Sequence, residues 1–162
     1  MISTDKTIEG EVVTGIAATH SECWIQAGPF KHPHFNLSSV FSLLAEKGVN
    51  VDIITQSEQE KGLFFSFTVA ENDEKLACEV LKETYSGLNV ISRHDVSKIS
   101  IVGVGMRTHA GVAARMFHTL AKEKIEILLV TTSEIKIGCL ILREHVQKAV
   151  NLLHDEFIQD EK

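Results

Sequence analysis

Several features that define whole classes of protein are scarce in this 162-residue chain. It has only two prolines, too few for a long proline-rich linker. Its net charge is -6, and without a stripe of Lys and Arg it offers little to neutralise nucleic-acid phosphates. No apolar run approaches the roughly 18 to 20 residues of a membrane span, and the first residues lack the pattern of a signal peptide. These absences predict a cytoplasmic protein that binds neither nucleic acid nor a membrane.

Groups that hold metals or carry out catalysis are also scarce. Cys23, Cys78 and Cys139 are far apart and form no C-x-x-C motif, so they are predicted to be buried as small apolar residues. His32 and His34 flank a proline without a further ligand nearby and are expected to lie in a loop. The sequence therefore predicts no catalytic residues, no metal site and no cofactor.

What the chain does contain is an internal repeat. Residues 37–58 return as residues 113–134 at one fixed spacing. The recurring residues are Phe41, Leu44, Ala45, Thr55, Ser57 and Glu58, which return as Phe117, Leu120, Ala121, Thr131, Ser133 and Glu134. Self-similarity of this kind marks a duplicated structural unit. The repeat predicts two small domains.

Each copy has the same periodicity. Apolar residues at helical spacing predict a helix at residues 37–44 and again at 113–120. An alternating segment follows, with Val49, Val51 and Ile53 on one face in the first copy and residues 125, 127 and 129 in the second, which predicts a strand. Further strands are predicted at residues 12–17, 23–27, 63–69, 88–92, 99–104 and 135–142, with a second helix in each copy. In each copy a turn joins two of these strands into a hairpin, and this turn is predicted to be longer in the first copy, near residues 59–62, than in the second.

The order of these elements predicts the fold. Strand, helix, strand, strand, helix and strand is the βαββαβ order of the ferredoxin-like fold, an α+β architecture with helices on one face of an antiparallel four-stranded sheet. The second copy lacks its last strand, whereas residues 12–17 form a strand that the first copy does not need. Because an unpaired sheet edge is a liability, the two are predicted to pair. The first domain, residues 21–96, would then be inserted in the second, residues 11–20 and 97–158.

These residues resemble a known family. The repeated unit resembles the ACT domain, and the chain resembles the paired ACT regulatory region of aspartokinase, most of all the short β subunit of an α/β aspartokinase or an equivalent fragment. The motifs that carry the resemblance are Val13-Thr-Gly-Ile-Ala17, Gly48-Val-Asn-Val-Asp-Ile-Ile54, Gly103-Val-Gly-Met106 with His109-Ala-Gly-Val112, and Thr132-Ser-Glu-Ile-Lys136. The nucleotide motif of aspartokinase catalytic domains does not occur in these residues. The resemblance implies a non-catalytic regulatory subunit or domain that forms a homodimer through ACT domains and associates with a catalytic subunit.

The resemblance also implies an effector, an end-product amino acid that causes feedback inhibition. A helix N-terminus can bind its carboxylate, and Asn36 and Ser38 can cap the helix there. The second copy has Leu128 in place of Asp52, so the effector is expected only at the first copy. The implied effector-binding residues are Asn36, Leu37, Val51, Asp52, Gln56, Ser57 and Glu58, joined by Glu126 and Ile127 from the second unit of a partner chain.

Two alternatives stay open at this point. The carboxylates of Asp52 and Glu58 could receive the side-chain ammonium of lysine, whereas Gln56 is shared with threonine-sensing relatives; the balance favours lysine. Phe35 stands where the family commonly has glycine, and the whole turn at residues 31–35 departs from the usual pattern. The alternative function is therefore a purely structural subunit that assembles the kinase through its ACT domains and binds no ligand.

Overall fold

The computed structural model describes residues 13–31, 37–104 and 110–158. Their strands are β1 (Val13–Phe30), β2 (Val51–Gln59), β3 (Gly62–Ala70), β4 (Asn89–Gly103), β5 (Leu129–Thr132) and β6 (Lys136–Leu142). Their α-helices are α1 (Leu37–Glu46), α2 (Glu71–Thr84), α3 (Ala110–Lys122) and α4 (Val146–Phe157), and a 3-10 turn at Arg143–His145 precedes α4. None of the helices within the described ranges is both long enough and apolar enough to cross a membrane.

The chain divides into two compact units. The first unit is Ser21–His94, and the described residues of the second unit are 13–20, 95–104 and 110–158. Strand order is β2-β3-β1-β4 in the first unit and β1-β4-β6-β5 in the second, so that β1 and β4 each contribute to both. The pairings of β3 with β1 and β2, and of β6 with β4 and β5, are antiparallel. The predicted α+β architecture of two repeats with antiparallel sheets is confirmed.

The core of the first unit lies between one face of its sheet and its two helices. Ile25 of β1 and Phe67 of β3 are fully buried there, against Leu44 of α1 and Leu81 of α2. We call this the helix-side face of the sheet. Leu37, the first residue of the predicted apolar stripe, is 41% exposed at the start of α1. The stripe that packs on the sheet therefore begins one turn later than the sequence predicts.

The second unit repeats this core with different side chains. Ile101 of β4 and Cys139 of β6 are fully buried against Leu120 of α3 and Leu153 of α4. Leu120 occupies the position in the second copy that Leu44 occupies in the first, and both leucines are 0% exposed. The framework predicted from the repeat is therefore built in both units.

Two strands are longer than the sequence predicts. The strands expected at residues 12–17 and 23–27 lie in one continuous strand, β1, and those expected at 88–92 and 99–104 lie in β4. Polar residues such as His20 and Ser21 interrupt the apolar alternation within β1, and both are exposed. Strand pairing uses the backbone, so a strand can continue through positions whose side chains face solvent.

The hairpins also differ from the prediction. In the first unit β2 and β3 have nine residues each and only residues 60–61 lie between them, so the expected long turn is wrong. In the second unit β5 has four residues, β6 has seven, and residues 133–135 join them. The extra length of the first copy extends its strands rather than its turn. Strand β5 begins at Leu129 and not at the predicted residue 125, because residues 125–128 lie before the strand.

Candidate functional site

The candidate site lies where α1 begins and along β2, the outer strand of the first unit's sheet among the described residues. Six of the implied effector-binding residues lie on these two elements: Leu37, Val51, Asp52, Gln56, Ser57 and Glu58. All of them except Val51 are exposed, and Val51 is half-buried against the core. Asn36 and residues 32–35 of the altered turn lie outside the described residues. Of the two predicted cap residues, Ser38 is the one within the described ranges, and it is exposed in the first turn of α1.

A β-bulge interrupts β2 at the predicted acidic residue. Val51 pairs with Val69 and Ile54 pairs with Phe67, so two residues of β2, Asp52 and Ile53, face the single residue Thr68 of β3. The backbone N–H of Ile53 donates to the Thr68 hydroxyl at 3.1 Å between the heavy atoms. Bulges are common beside functional sites, where they change the direction in which side chains point. Asp52 therefore lies in a local irregularity of the sheet and not in a regular strand.

The bulge changes which side chains share a face. Beyond it, Gln56 pairs with Phe65 and Glu58 pairs with Leu63, and both partners belong to the helix-side core. Paired residues lie on the same face, so Gln56 and Glu58 are on the helix side of β2. The sequence predicts that residues 49, 51 and 53 share one face. That prediction is wrong for Ile53, because one extra residue in the strand shifts the alternation.

The other face of the hairpin carries hydroxyl groups. Ser57 pairs with Phe64, and Thr55 pairs with Ser66 through a contact of 2.6 Å between their hydroxyl oxygens. Ser66 and Thr68 are 8% and 0% exposed, although the strand predicted there is otherwise almost wholly apolar. Polar residues inside an apolar strand were the signal in the sequence that could have pointed to this arrangement.

The second unit has different chemistry at the matching place. Leu129, the first residue of β5, pairs with Leu140, and the N–H of Leu128 just before the strand donates to the Leu140 carbonyl at 2.8 Å. Leu128 takes the place of Asp52 and is half-buried, and Leu140 is 0% exposed. Thr132 takes the place of Gln56. This edge therefore lacks the Asp52 carboxylate and has a leucine, Leu140, opposite its first strand residue.

The two remaining implied residues lie in the second unit, between α3 and β5. Glu126 is exposed, and Ile127 is half-buried against the core of its own unit. Their expected contribution to a site on a partner chain stays a prediction.

The thiol groups have the properties of core residues. None of the three cysteines, all of which lie in the described residues, forms a disulfide, and all three are buried, which confirms their predicted place in the core. Burial raises the pKa of the Cys139 thiol to about 12. Burial, aided by the negative charge of Glu74, raises the pKa of the Cys78 thiol to about 11. Reactive cysteines have lowered pKa values, so these two thiols are poor nucleophiles at neutral pH. Within the described ranges, no group of His, Cys, Asp and Glu side chains could hold a metal ion.

Two clefts on the described surface were not anticipated from the sequence. One, of about 370 Å³, lies beside Phe30 and Tyr85 at the end of β1, and burial raises the pKa of the Tyr85 hydroxyl. The other, of about 660 Å³, lies between α3 and α4 and is lined by both acidic and basic groups, among them Arg115 and Glu156, which form an ion pair at 3.0 Å. The mixed charge of the second cleft selects no particular ligand.

Comparison with known proteins places this fold. The sequence profile of the ACT domain matches residues 37–85 and 99–157, one stretch in each unit. An aspartokinase of Pseudomonas aeruginosa is 36% identical over 160 residues, which cover 96% of this chain and 39% of that protein. The chain thus spans well under half the length of that curated relative.

Two solved structures match over nearly their whole length. The ligand-free regulatory subunit of aspartate kinase from Thermus thermophilus is 31% identical with a TM-score of 0.82, covering 91% of this chain and 99% of that one. A structure of aspartokinase alpha and beta subunits is 35% identical with a TM-score of 0.82, over 91% of this chain and 99% of the matched chain. The chain therefore belongs to the ACT domain family, and most of its length corresponds to the regulatory part of aspartokinases.

Proposed function

We propose that the chain senses an end-product amino acid through its first unit and transmits feedback inhibition to an aspartokinase catalytic subunit. One observation carries the proposal: the exposed carboxylate of Asp52 lies in the bulge of the outer strand, where the second unit has half-buried Leu128. A free amino acid needs acceptors for its ammonium group and donors for its carboxylate. The outer strand supplies the acceptors, and the N-terminus of α1 supplies backbone N–H groups for the carboxylate.

Lysine is the effector we favour, with threonine as the alternative. Lysine carries a side-chain ammonium group that threonine lacks, and β2 has exposed carboxylates at Asp52 and Glu58, either of which can receive it. Glu58 shares the helix-side face with Gln56, whose amide can accept or donate. Threonine has a hydroxyl instead, for which Gln56 suffices. The pairing of a carboxylate with the side-chain ammonium is what distinguishes the two ligands.

The proposed mechanism is a shift of population. An amino acid bound where the first unit meets the second unit of a partner chain, with Glu126 and Ile127 contributing, favours one arrangement of a homodimer. A catalytic subunit that associates with that arrangement then has lower activity. Coupling of this kind typically amounts to about 1 to 3 kcal/mol. The cytoplasmic location and the homodimer predicted from the sequence belong to the same proposal.

The proposed function includes an assignment of the two domains. We assign residues 21–96 to the effector-binding ACT domain and residues 11–20 with 97–158 to the ACT domain whose role is mainly structural, with the first inserted in the second. The division of the chain into the unit Ser21–His94 and a unit built from both flanking segments supports this assignment.

Isothermal titration calorimetry of the chain with lysine and, separately, with threonine tests the proposal. We expect saturable binding of lysine, about tenfold weaker binding in Asp52→Asn, and unchanged binding in Asp155→Asn, a matched change at an exposed position of α4 in the second unit. Absence of binding by either amino acid at millimolar concentration would contradict the sensor and support the alternative of a purely structural assembly subunit.

A further inference from the structure

Thr68 is a polar residue at a place where a β-sheet core normally has an apolar one. It lies between the buried residues Phe67 and Val69 of β3, pairs with Trp24 of β1, and is 0% exposed. A buried hydroxyl without a hydrogen bond is costly, so such a residue is expected to have a partner. Its partner is the backbone N–H of Ile53, at 3.1 Å.

The bulge explains why that partner exists. Two residues of β2 face one residue of β3 there, so the regular ladder cannot supply every backbone N–H of β2 with a carbonyl acceptor. Ile53 is itself only 8% exposed. The Thr68 hydroxyl takes the place of the missing carbonyl, and it does so at the residue that directly follows Asp52.

The second unit shows what changes when no hydroxyl is present. Its strand β5 pairs with β6 in an unbroken register from Leu129, and the N–H of Leu128 donates to the Leu140 backbone carbonyl. Where no hydroxyl is present, the hydrogen bond therefore starts from the residue in the position of Asp52 and ends on the backbone. In the first unit the described bond from the bulge to the Thr68 side chain starts from the second residue, Ile53.

We propose that Thr68 is a positioning residue of the effector site, a role that rests on the proposed function of the first unit. Its hydroxyl fixes the backbone at Ile53, and this sets the direction of the Asp52 carboxylate. The same bond fixes the alternation beyond the bulge, which keeps Gln56 and Glu58 on the helix-side face. Thr68 itself is buried and does not touch the effector.

Three variants test this role, each assayed by calorimetric titration with lysine and threonine and by hydrogen exchange of the Ile53 amide. Thr68→Val replaces the hydroxyl with a methyl group and removes the acceptor, Thr68→Ser restores it, and Ser66→Ala is the matched control. Ser66 is a similarly buried hydroxyl on the same face of β3, but it contacts the Thr55 side chain rather than the bulge.

We expect Thr68→Val to weaken effector binding by about tenfold or more, the effect of leaving a buried amide without its acceptor, and to speed exchange at Ile53. Thr68→Ser should stay within about threefold of the wild type and Ser66→Ala within about twofold, because both keep the Ile53 hydrogen bond. Should Thr68→Val fail to fold, Thr68→Ala removes the same acceptor without placing a methyl group against the amide.

The outcomes separate the two proposals. If the wild type binds lysine or threonine and Thr68→Val or Thr68→Ala binds as well as the wild type, the role of Thr68 is overturned and the sensing function stands. Equal losses in Thr68→Val and Ser66→Ala would also overturn it, because the effect would then belong to any buried hydroxyl of β3. If the wild type binds neither amino acid, the sensing function fails and the positioning role fails with it.

Discussion

In the first unit the outer strand runs for nine residues and carries Asp52 in a bulge that a threonine hydroxyl completes. In the second unit the matching strand runs for four residues, and Leu128, in the position of Asp52, lies just before it and donates its N–H to the Leu140 carbonyl. Both units pack two helices on the sheet and bury a leucine at the matching position, Leu44 and Leu120. A duplicated fold can thus keep its core positions in two copies while only one copy keeps an acidic residue at its edge.

The largest effect is expected where the two units agree. Leu44→Ala and Leu120→Ala each remove a fully buried leucine at matching positions of the repeat. Each should lower the free energy of unfolding by about 2 to 5 kcal/mol, from lost burial and the cavity left behind. Urea unfolding followed by circular dichroism measures both. A cost below about 1 kcal/mol for either leucine would show that the two cores are not equivalent.

Exchanging Asp52 and Leu128, which occupy matching positions of the repeat, tests the difference between the two units. Asp52→Leu should weaken lysine binding by about tenfold to a hundredfold, the range for losing a hydrogen bond to a charged group. Leu128→Asp should create no second site, because the facing residue Leu140 has no hydroxyl and Thr132 stands in place of Gln56. Calorimetry on both variants provides the measurement. Lysine binding gained by Leu128→Asp would mean that a carboxylate alone makes the site.

A smaller effect distinguishes the units at alkaline pH. The pKa of Cys78 is about 11 in the folded first unit and that of Cys139 about 12 in the folded second unit, against 9.0 for an ordinary thiol. The unfolded chain therefore loses these protons first as pH rises. Their contribution to stability is complete below about pH 9 and is lost as pH approaches the folded values.

Urea unfolding between pH 8 and pH 10.5 measures this loss. The free energy of unfolding should fall more steeply in the wild type than in Cys139→Val, which keeps an apolar group of similar size and removes the thiol. Cys78→Val should flatten the curve less, because the pKa of Cys78 is raised less. Identical slopes in all three proteins would contradict the attribution of this pH dependence to the thiols of Cys78 and Cys139.

The repeat and its periodicity were enough to predict most of the fold. The spacing of Val40, Leu44, Met116 and Leu120 predicts the helices, and the same residues are buried. The order of elements identifies the ferredoxin-like repeat. These features depend on residues close together in the chain, and a single sequence records them directly.

The candidate site was less predictable, for a physical reason. Alternation places Ile53 with Val49 and Val51, but the bulge moves it to the opposite face. A bulge is a property of two paired strands, and Thr68 lies on the partner strand, so no pattern within β2 alone could reveal it. For the same reason the sequence predicts a longer turn in the first hairpin. In the structure, strand pairing extends β2 and β3 through the residues expected to form that turn.

The measurement that tests the account most directly is the number of effector molecules bound per chain. Calorimetric titration of the wild-type protein with lysine, under conditions where the protein concentration exceeds the dissociation constant, gives that number. The account predicts one lysine per chain, bound about tenfold to a hundredfold more weakly by Asp52→Leu and unchanged in Leu128→Ala. Two lysines per chain, or one that Asp52→Leu binds as tightly as the wild type, would contradict the claim that only the first unit binds the effector.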